Sequence, residues 1–388
     1  MKKLIERINN GLAQKLTLIS APAGFGKTTL LCAWCEQSPR TVGWITLDHN
    51  DNDVTRFWLY LIVALQQIQS AFGENLVSAL QTSQQLPLEN YVYGFINELE
   101  RIQEPFVLVL EDYHTIENPI IHNVIATLLL QMPEKMHLVI STRSDPPLPV
   151  SNLRARGVLN ELRSADLRLS LEEAETFLNR VMDLGLPDGD IQLLERRIEG
   201  WIVGQQLAAL SMQNKLDKHT FITNLAGDNR FIADYLVEEV LKQQLPEVQQ
   251  FLLHTCLLDY LNSSLCKAVT KREDCDQMLL KLEKSNLFIL PMDDKRVWFR
   301  YHNLFSDLLR VRINQSQPEL MKALHQRASL WFEAHQLPRE AINHALATVN
   351  VLERLIASST SSGNVYYLGD PTVSIREMTS SGRVIRYR

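Results

Sequence analysis

Residues 16–29, LTLISAPAGFGKTT, constrain the chain more than any other stretch. Five β-prone residues run directly into a turn holding Pro22, Gly24 and Gly26, and helix-forming residues follow from Thr28. A strand that breaks into a Gly-containing turn and re-enters as a helix turns backbone N–H groups and a positive helix end toward an anion. Gly24 and Gly26 let the loop curl. Lys27 sets a cation against β- and γ-phosphates, and Thr28 offers a hydroxyl to Mg2+. The first motif position is Ala21, where the consensus has Gly. The competing reading is a chance match in a Gly-containing turn. The flanking strand and helix favour a phosphate-binding loop with Ala21, Gly24, Phe25, Gly26, Lys27, Thr28 and Thr29 as candidate nucleotide contacts.

The first ~165 residues alternate strand-like and helical patterns. Strand-like runs fall at 16–20, 42–47, 106–110 and 137–141, and helical runs at 28–37, 57–67 and 119–130. The runs FVLVL and HLVIS suit central parallel strands covered on both faces. The expectation is an α/β P-loop NTPase built on a parallel sheet. A P-loop protein places an acid at the end of a later apolar strand, and Glu111-Asp112 follows FVLVL. One of the two carboxylates holds the metal while its neighbour polarises water; the residues alone leave open which does which. As an isolated feature, two acids opening a helix would be the commoner explanation. Arg143 follows the next strand, at the carboxyl edge where ligands bind, and is a candidate γ-phosphate sensor beside the alternative of a surface loop arginine. Arg154, Arg156, Arg163 and Arg168 read as surface or interdomain ion pairs.

After about residue 169 the strands stop. Ser170 followed by Glu172 and Glu173 is a helix start. Helical patterns follow at 171–183, 188–199, 201–214 and 230–258, the last interrupted by Pro246, and then at 274–285. Strand-like 287–290, an Asp293-Asp294 turn and strand-like 296–301 complete a winged-helix pattern. Residues 318–336 and 338–347 read as a helix pair. The expected division is an NTPase domain 1–168, a helical arm 169–228, a winged helix 229–316, a helical hairpin 317–357 opening a repeat region, and a weakly ordered tail 358–388. The whole is mixed α/β and helix-rich.

Composition excludes several classes. The 388 residues are 45% apolar and 22% charged, with net charge −6 and five cysteines. That is a globular composition, neither disordered nor a disulfide scaffold. No global basic field draws the chain to nucleic acid or membrane. Apolar runs fall short of the ~18–20 residues of a membrane span, and residues 1–15 carry no signal-peptide core. The expectation is a reduced, cytoplasmic chain. Cys32-Ala33-Trp34-Cys35 lies inside a helix rather than at its start and reads as core packing. Cys256, Cys266 and Cys275 lack zinc spacing, and His335 and His344 carry no catalytic pattern. Helix 273–285 holds Glu273, Asp274, Asp276 and Glu283 against Lys281 and Lys284, the wrong sign for phosphate contact by a winged helix.

Six stretches in order, APAGFGKTTLL, WITLDHNDNDVTRFWLYLI, VLEDYHTIENPIIH, LVISTRSDPPLPVSNLRARGVLNELR, EGWIVGQQLAALS and FRYHNLFSDLLR, together resemble the MalT-type STAND ATPases, the large ATP-dependent LuxR-family transcription regulators. The resemblance spans roughly residues 4–350. It implies a signal-transduction switch that rests with ADP, exchanges it for ATP on induction, self-associates, and resets by slow hydrolysis. Carried onto this sequence, it implies Gly24, Gly26, Lys27 and Thr28 for phosphates and metal, Glu111 and Asp112 for Mg2+ and water, and Arg143 as sensor. It also implies that His302 reaches the β-phosphate of ADP and locks the closed form; as a bare residue His302 reads as a core or turn histidine. The sequence departs from the family in three places. Only fifteen residues precede the first strand, where the family has a base-binding stretch. Glu111 stands where Asp is frequent. Neither sensor nor helix-turn-helix is read, so the expectation is a truncated nucleotide engine that does not itself bind DNA. Two other readings remain: a stand-alone P-loop transferase or kinase, and a non-catalytic remnant that binds full-length relatives.

Overall fold

The computed structural model describes residues 1–81, 88–213, 215 and 217–348, together with the strands Arg354–Ser359, Val365–Tyr367, Thr372–Met378 and Val384–Arg386. The chain divides into two compact units. One comprises Met1–Gln243, Leu280–Leu290 and His302–Phe305; the other comprises Gln244–Leu279, Pro291–Tyr301 and Ser306–Arg388.

The first unit is built on a five-stranded sheet of β1 (Leu16–Ser20), β2 (Thr41–Thr46), β3 (Phe106–Glu111), β4 (Met136–Thr142) and β5 (Leu159–Arg163). The order is β2-β3-β4-β1-β5, and every pairing is parallel. Strands β1, β3 and β4 are buried at every position, as the apolar run FVLVL of a sheet covered on both faces requires. Ser20 pairs with Thr142, so the loops after β1 and β4 leave the same sheet edge. Strand β5 escapes the sequence patterning because LNELR is polar; it lies at the edge, where only Leu162 is buried.

Helices Val54–Gln66 and Pro119–Gln131 bury Phe57, Leu61, Leu65, Ile121, Ile125 and Leu128 in one core with Leu16, Leu108 and Leu138. The second of these helices starts where the Asn118 side chain accepts from the Ile120 N–H, with Pro at the first helical position. The helix start read at Ser170 takes the form of a capping box with Glu173. Between helices Asp188–Ile198 and Ile202–Met212 the chain reverses through Glu199 and Gly200, with φ of 54° and 74°. A Cβ on Gly200 would lie 2.6 Å from the Arg168 Cβ, so only glycine fits this turn.

In the second unit, helices Pro246–Thr255, Ser263–Thr270, Pro318–Ala334 and Pro338–Leu346 surround a core in which Tyr260 packs edge-on against Trp298 and Phe332. The Thr255 and Tyr301 hydroxyls share a buried hydrogen bond of 2.7 Å. The wing strands are shorter than the sequence suggests, Ile289–Pro291 and Phe299–Tyr301. Phe288 and Arg296 hold positive φ, 53° and 56°, which ends extended backbone at each. The Asp293 carboxylate accepts from the Val297 and Trp298 N–H groups and fixes the intervening turn. Toward the C-terminus, Arg354–Ser359 pairs parallel with Thr372–Met378, and Val365–Tyr367 with Val384–Arg386. The remaining positions of the expected weakly ordered tail lie outside the described residues. Among the described residues no helix is long and apolar enough to cross a membrane.

Candidate functional site

The loop after β1 has the backbone its glycines allow. Gly24 and Gly26 take φ of 77° and 73°, and Gly26 is the left-handed N-cap of helix Lys27–Cys35. Lys27 is buried, and its Nζ donates to the carbonyls of Ala21 at 2.8 Å and Pro22 at 2.9 Å. Burial, aided by Arg143 and opposed by Asp112 and Glu111, pushes the Lys27 ammonium down to about 8. An ammonium held inside its own loop, hard to keep charged, is one that an incoming anion would stabilise. Ala21 and Phe25 are buried, whereas Thr28 and Thr29 stand exposed on the first helical turn.

The same helix corrects the reading of the cysteine pair. Its buried stripe is Lys27, Leu30, Leu31 and Trp34, at helical spacing. Cys32 falls off that stripe and is exposed, and Cys35 is half-buried, so the pair is not core. Cys256, Cys266 and Cys275, by contrast, are all buried.

One face of the loop is charged. Glu111 ends β3, and its Oε2 accepts from the Thr46 hydroxyl at 2.9 Å. Its other oxygen, Oε1, is buried with no hydrogen-bond partner among the described residues. Asp112 takes φ 54°, in the left-handed region; such strain in a non-glycine residue clusters at functional sites. Burial and the neighbouring Glu111 raise the Asp112 carboxyl, against the pull of Arg143 and Lys27. His114 Nδ1 lies 3.7 Å from Asp112 Oδ1. Burial, then Arg143, Lys27 and His49, push that imidazole down to about 3, so it is neutral. Arg143 sits 3.5 Å from both the carbonyl and a carboxylate oxygen of Glu239. The fold thus brings together Lys27, Glu111, Asp112 and Arg143, drawn from three strand ends.

The other face is aromatic, and sequence patterning alone misses it. The turn at Gly200 delivers Trp201, whose indole N–H donates to the Ala23 carbonyl at 3.2 Å, and Val203, whose N–H donates to the Gly24 carbonyl at 3.1 Å. A Cβ on Gly24 would lie 2.7 Å from Trp201 Nε1, and one on Gly26 2.8 Å from Ile202 Cδ1. The two glycines are therefore required by close approach as well as by φ. Phe288 packs edge-on against Trp201 at 5.3 Å and tilted against Phe25 at 6.2 Å. His302 is buried, edge-on to Phe288 at 5.6 Å and to Trp201 at 6.1 Å, with Nε2 2.8 Å from the Ile198 carbonyl. It joins the loop through these two rings. Beside them, Asn286 Nδ2 donates to the Ser20 hydroxyl at 2.9 Å and the Arg143 carbonyl at 3.1 Å. The only sequence signal for this face was the stretch EGWIVG and the histidine of YHNLF, both visible through family resemblance.

The residues present fit a nucleotide with its metal. The loop cradle excludes a Cβ at Gly24 and Gly26, a cation waits inside it, and Glu111 keeps one buried oxygen unbonded. Residues 237–321 match the MalT winged helix domain. Over 348 residues the chain is 36% identical to the HTH-type transcriptional regulator MalT of Klebsiella pneumoniae strain 342, covering 89% of this chain and 38% of that protein. The chain is MalT-like. MalT from a second Klebsiella pneumoniae strain is 35% identical over the same shares, so the MalT-like chain spans 38% of the length of these curated relatives. Among solved structures, a Walker-type ATPase of Pyrococcus abyssi matches with TM-score 0.51 at 17% identity, covering 80% of this chain and 95% of that one. That likeness concerns the fold, and the fold of this MalT-like chain is that of a P-loop ATPase with a winged helix.

Proposed function

We propose that this chain is the ATP- and ADP-binding switch module of a MalT-type transcriptional regulator, with slow ATP hydrolysis and nucleotide-dependent self-association. The observation that carries the reading is Lys27, a buried ammonium bonded among the described residues to its own loop's carbonyls, facing Glu111, Asp112 and Arg143. A nucleotide phosphate gives that ammonium a better partner than Ala21 and Pro22 do. Thr28 and the unbonded oxygen of Glu111 would hold Mg2+, which when bound neutralises charge developing on the phosphates. The buried Glu111 suits the metal role, and the half-exposed Asp112 suits the orientation of water. Arg143 reports the γ-phosphate. His302 locks the closed form through Trp201 and Phe288, whose rings it joins to the loop.

In this reading residues 1–168 bind nucleotide, 169–228 form the arm, 229–316 the winged helix and 317–357 the first of a helical-repeat region, in a cytoplasmic protein. The winged helix acts on the nucleotide site, without direct DNA contact. Light scattering with ATP, ADP and a non-hydrolysable analogue tests the switch. Assembly with ATP and the analogue but not with ADP is expected. Identical assembly in all three would remove the switch reading.

A further inference from the structure

Three residues past β3, His114 has an unusual environment. Its Nδ1 is shielded from solvent and has no hydrogen-bond partner among the described residues, and the carboxylate facing it, Asp112 Oδ1, stands at 3.7 Å. A buried polar nitrogen left unbonded is rare and needs a reason. Here the surrounding backbone is fixed. The Asp112 carbonyl accepts from the Thr115 N–H at 3.0 Å and from its hydroxyl at 2.9 Å. Asn52 clamps the loop from the opposite turn, donating to the Thr115 carbonyl at 2.8 Å and accepting from the Glu117 and Asn118 N–H groups. With the backbone held at both ends, only side-chain rotation remains to close the gap between His114 and Asp112.

We propose that His114 is a positioning residue for hydrolysis: in the nucleotide-loaded state its Nδ1–H donates to the Asp112 carboxylate and fixes the oxygen that faces the attacking water. The inference rests on the hydrolysis reading given above. Catalytic hydrogen bonds that are long in a ligand-free protein tighten when substrate arrives. Shortening 3.7 Å to about 2.8 Å needs a modest turn of two side chains. The role of His114 resembles that of the group that orients the base in other hydrolytic sites, where loss of orientation rather than of binding slows the reaction.

Two variants and one spectroscopic reading test this. His114→Leu keeps bulk and removes the donor; His114→Asn restores an N–H near the Nδ1 position. The expected result is a fall in kcat of about 10- to 100-fold for His114→Leu, with ADP affinity within about twofold and thermal melting unchanged, and recovery of most of the turnover in His114→Asn. Equal turnover in wild type and His114→Leu overturns the proposal, as does a loss that His114→Asn fails to restore in a folded protein. The second readout does not depend on turnover. In 15N-histidine-labelled protein with a non-hydrolysable ATP analogue and Mg2+, His114 is expected in the Nδ1–H tautomer, with a resonance that Asp112→Asn shifts. An Nε2–H tautomer, or indifference to Asp112→Asn, overturns the proposal even if ATP is hydrolysed. If wild type turns over no ATP but the Nδ1–H signature is present, the hydrolysis reading fails while the His114–Asp112 contact stands.

Discussion

The two faces of the phosphate-binding loop differ in what they leave undone. On the charged face, Lys27 is buried against carbonyls, Glu111 keeps an unbonded oxygen, and Asp112 is both strained and raised. On the aromatic face, Trp201, Phe288 and His302 pack edge-on, and the Trp201 indole N–H and the Val203 N–H satisfy loop carbonyls. The charged face withholds stability that a ligand would restore. The aromatic face supplies packing and hydrogen bonds to the loop itself. A switch needs both: a site whose energy changes on binding, and a packed element placed to register the change.

The largest expected effect lies on the aromatic face. Trp201→Ala removes a fully buried ring and should cost about 3–5 kcal/mol in denaturant unfolding. Trp201→Phe should cost about 1 kcal/mol, roughly one hydrogen bond. A loss below 1 kcal/mol for the alanine variant would break the contrast between the faces.

The charged face should show itself in pH dependence. The folded Lys27 titrates at about 8 against 10.5 in its ordinary state. Between those values the unfolded chain binds more protons than the folded one, so stability rises with pH across the window. At neutral pH both states are protonated, and the full cost of burying the charge is present. Lys27→Met should abolish an increment of order 1–3 kcal/mol, read as the difference between wild-type and variant urea midpoints from pH 7 to 10. A parallel pair of curves would contradict the strained ammonium.

Gly24→Ala strikes both faces, since the residue holds φ 77° and lies against Trp201. It should cost about 1–2 kcal/mol from backbone strain and weaken nucleotide binding as well; an effect on stability alone would show that the faces are independent. The smallest expected effect is Asn286→Ala, which removes donors to Ser20 and the Arg143 carbonyl. About 1 kcal/mol is expected by the same unfolding assay.

The charged face was legible because its chemistry is contiguous. Residues 21–29 are one motif, and Glu111 and Arg143 each follow an apolar strand whose burial the sequence announces. The parallel sheet followed from the same runs. Strand β5 did not, because an edge strand with one solvent-facing side need not be apolar. The aromatic face was hidden for a different reason. Trp201, Phe288 and His302 meet through turns at Gly200 and Phe288 with positive φ, and Phe288 is not a residue that patterning assigns to such a turn. Cys32 misled because a CxxC invites a pairwise reading, while the helical stripe of Leu30, Leu31 and Trp34 decides which side is buried.

Lys27 holds a charge that burial makes costly, in the loop where a phosphate would bind. Calorimetry of ATP binding near pH 8, repeated in buffers of different ionisation enthalpy, tests it directly. Binding is expected with uptake of about half a proton, as the phosphate restores full charge to Lys27, and with a loss of affinity of about 10- to 100-fold in Lys27→Ala. Equal ATP affinity in wild type and Lys27→Ala, with no proton uptake in either, would contradict it.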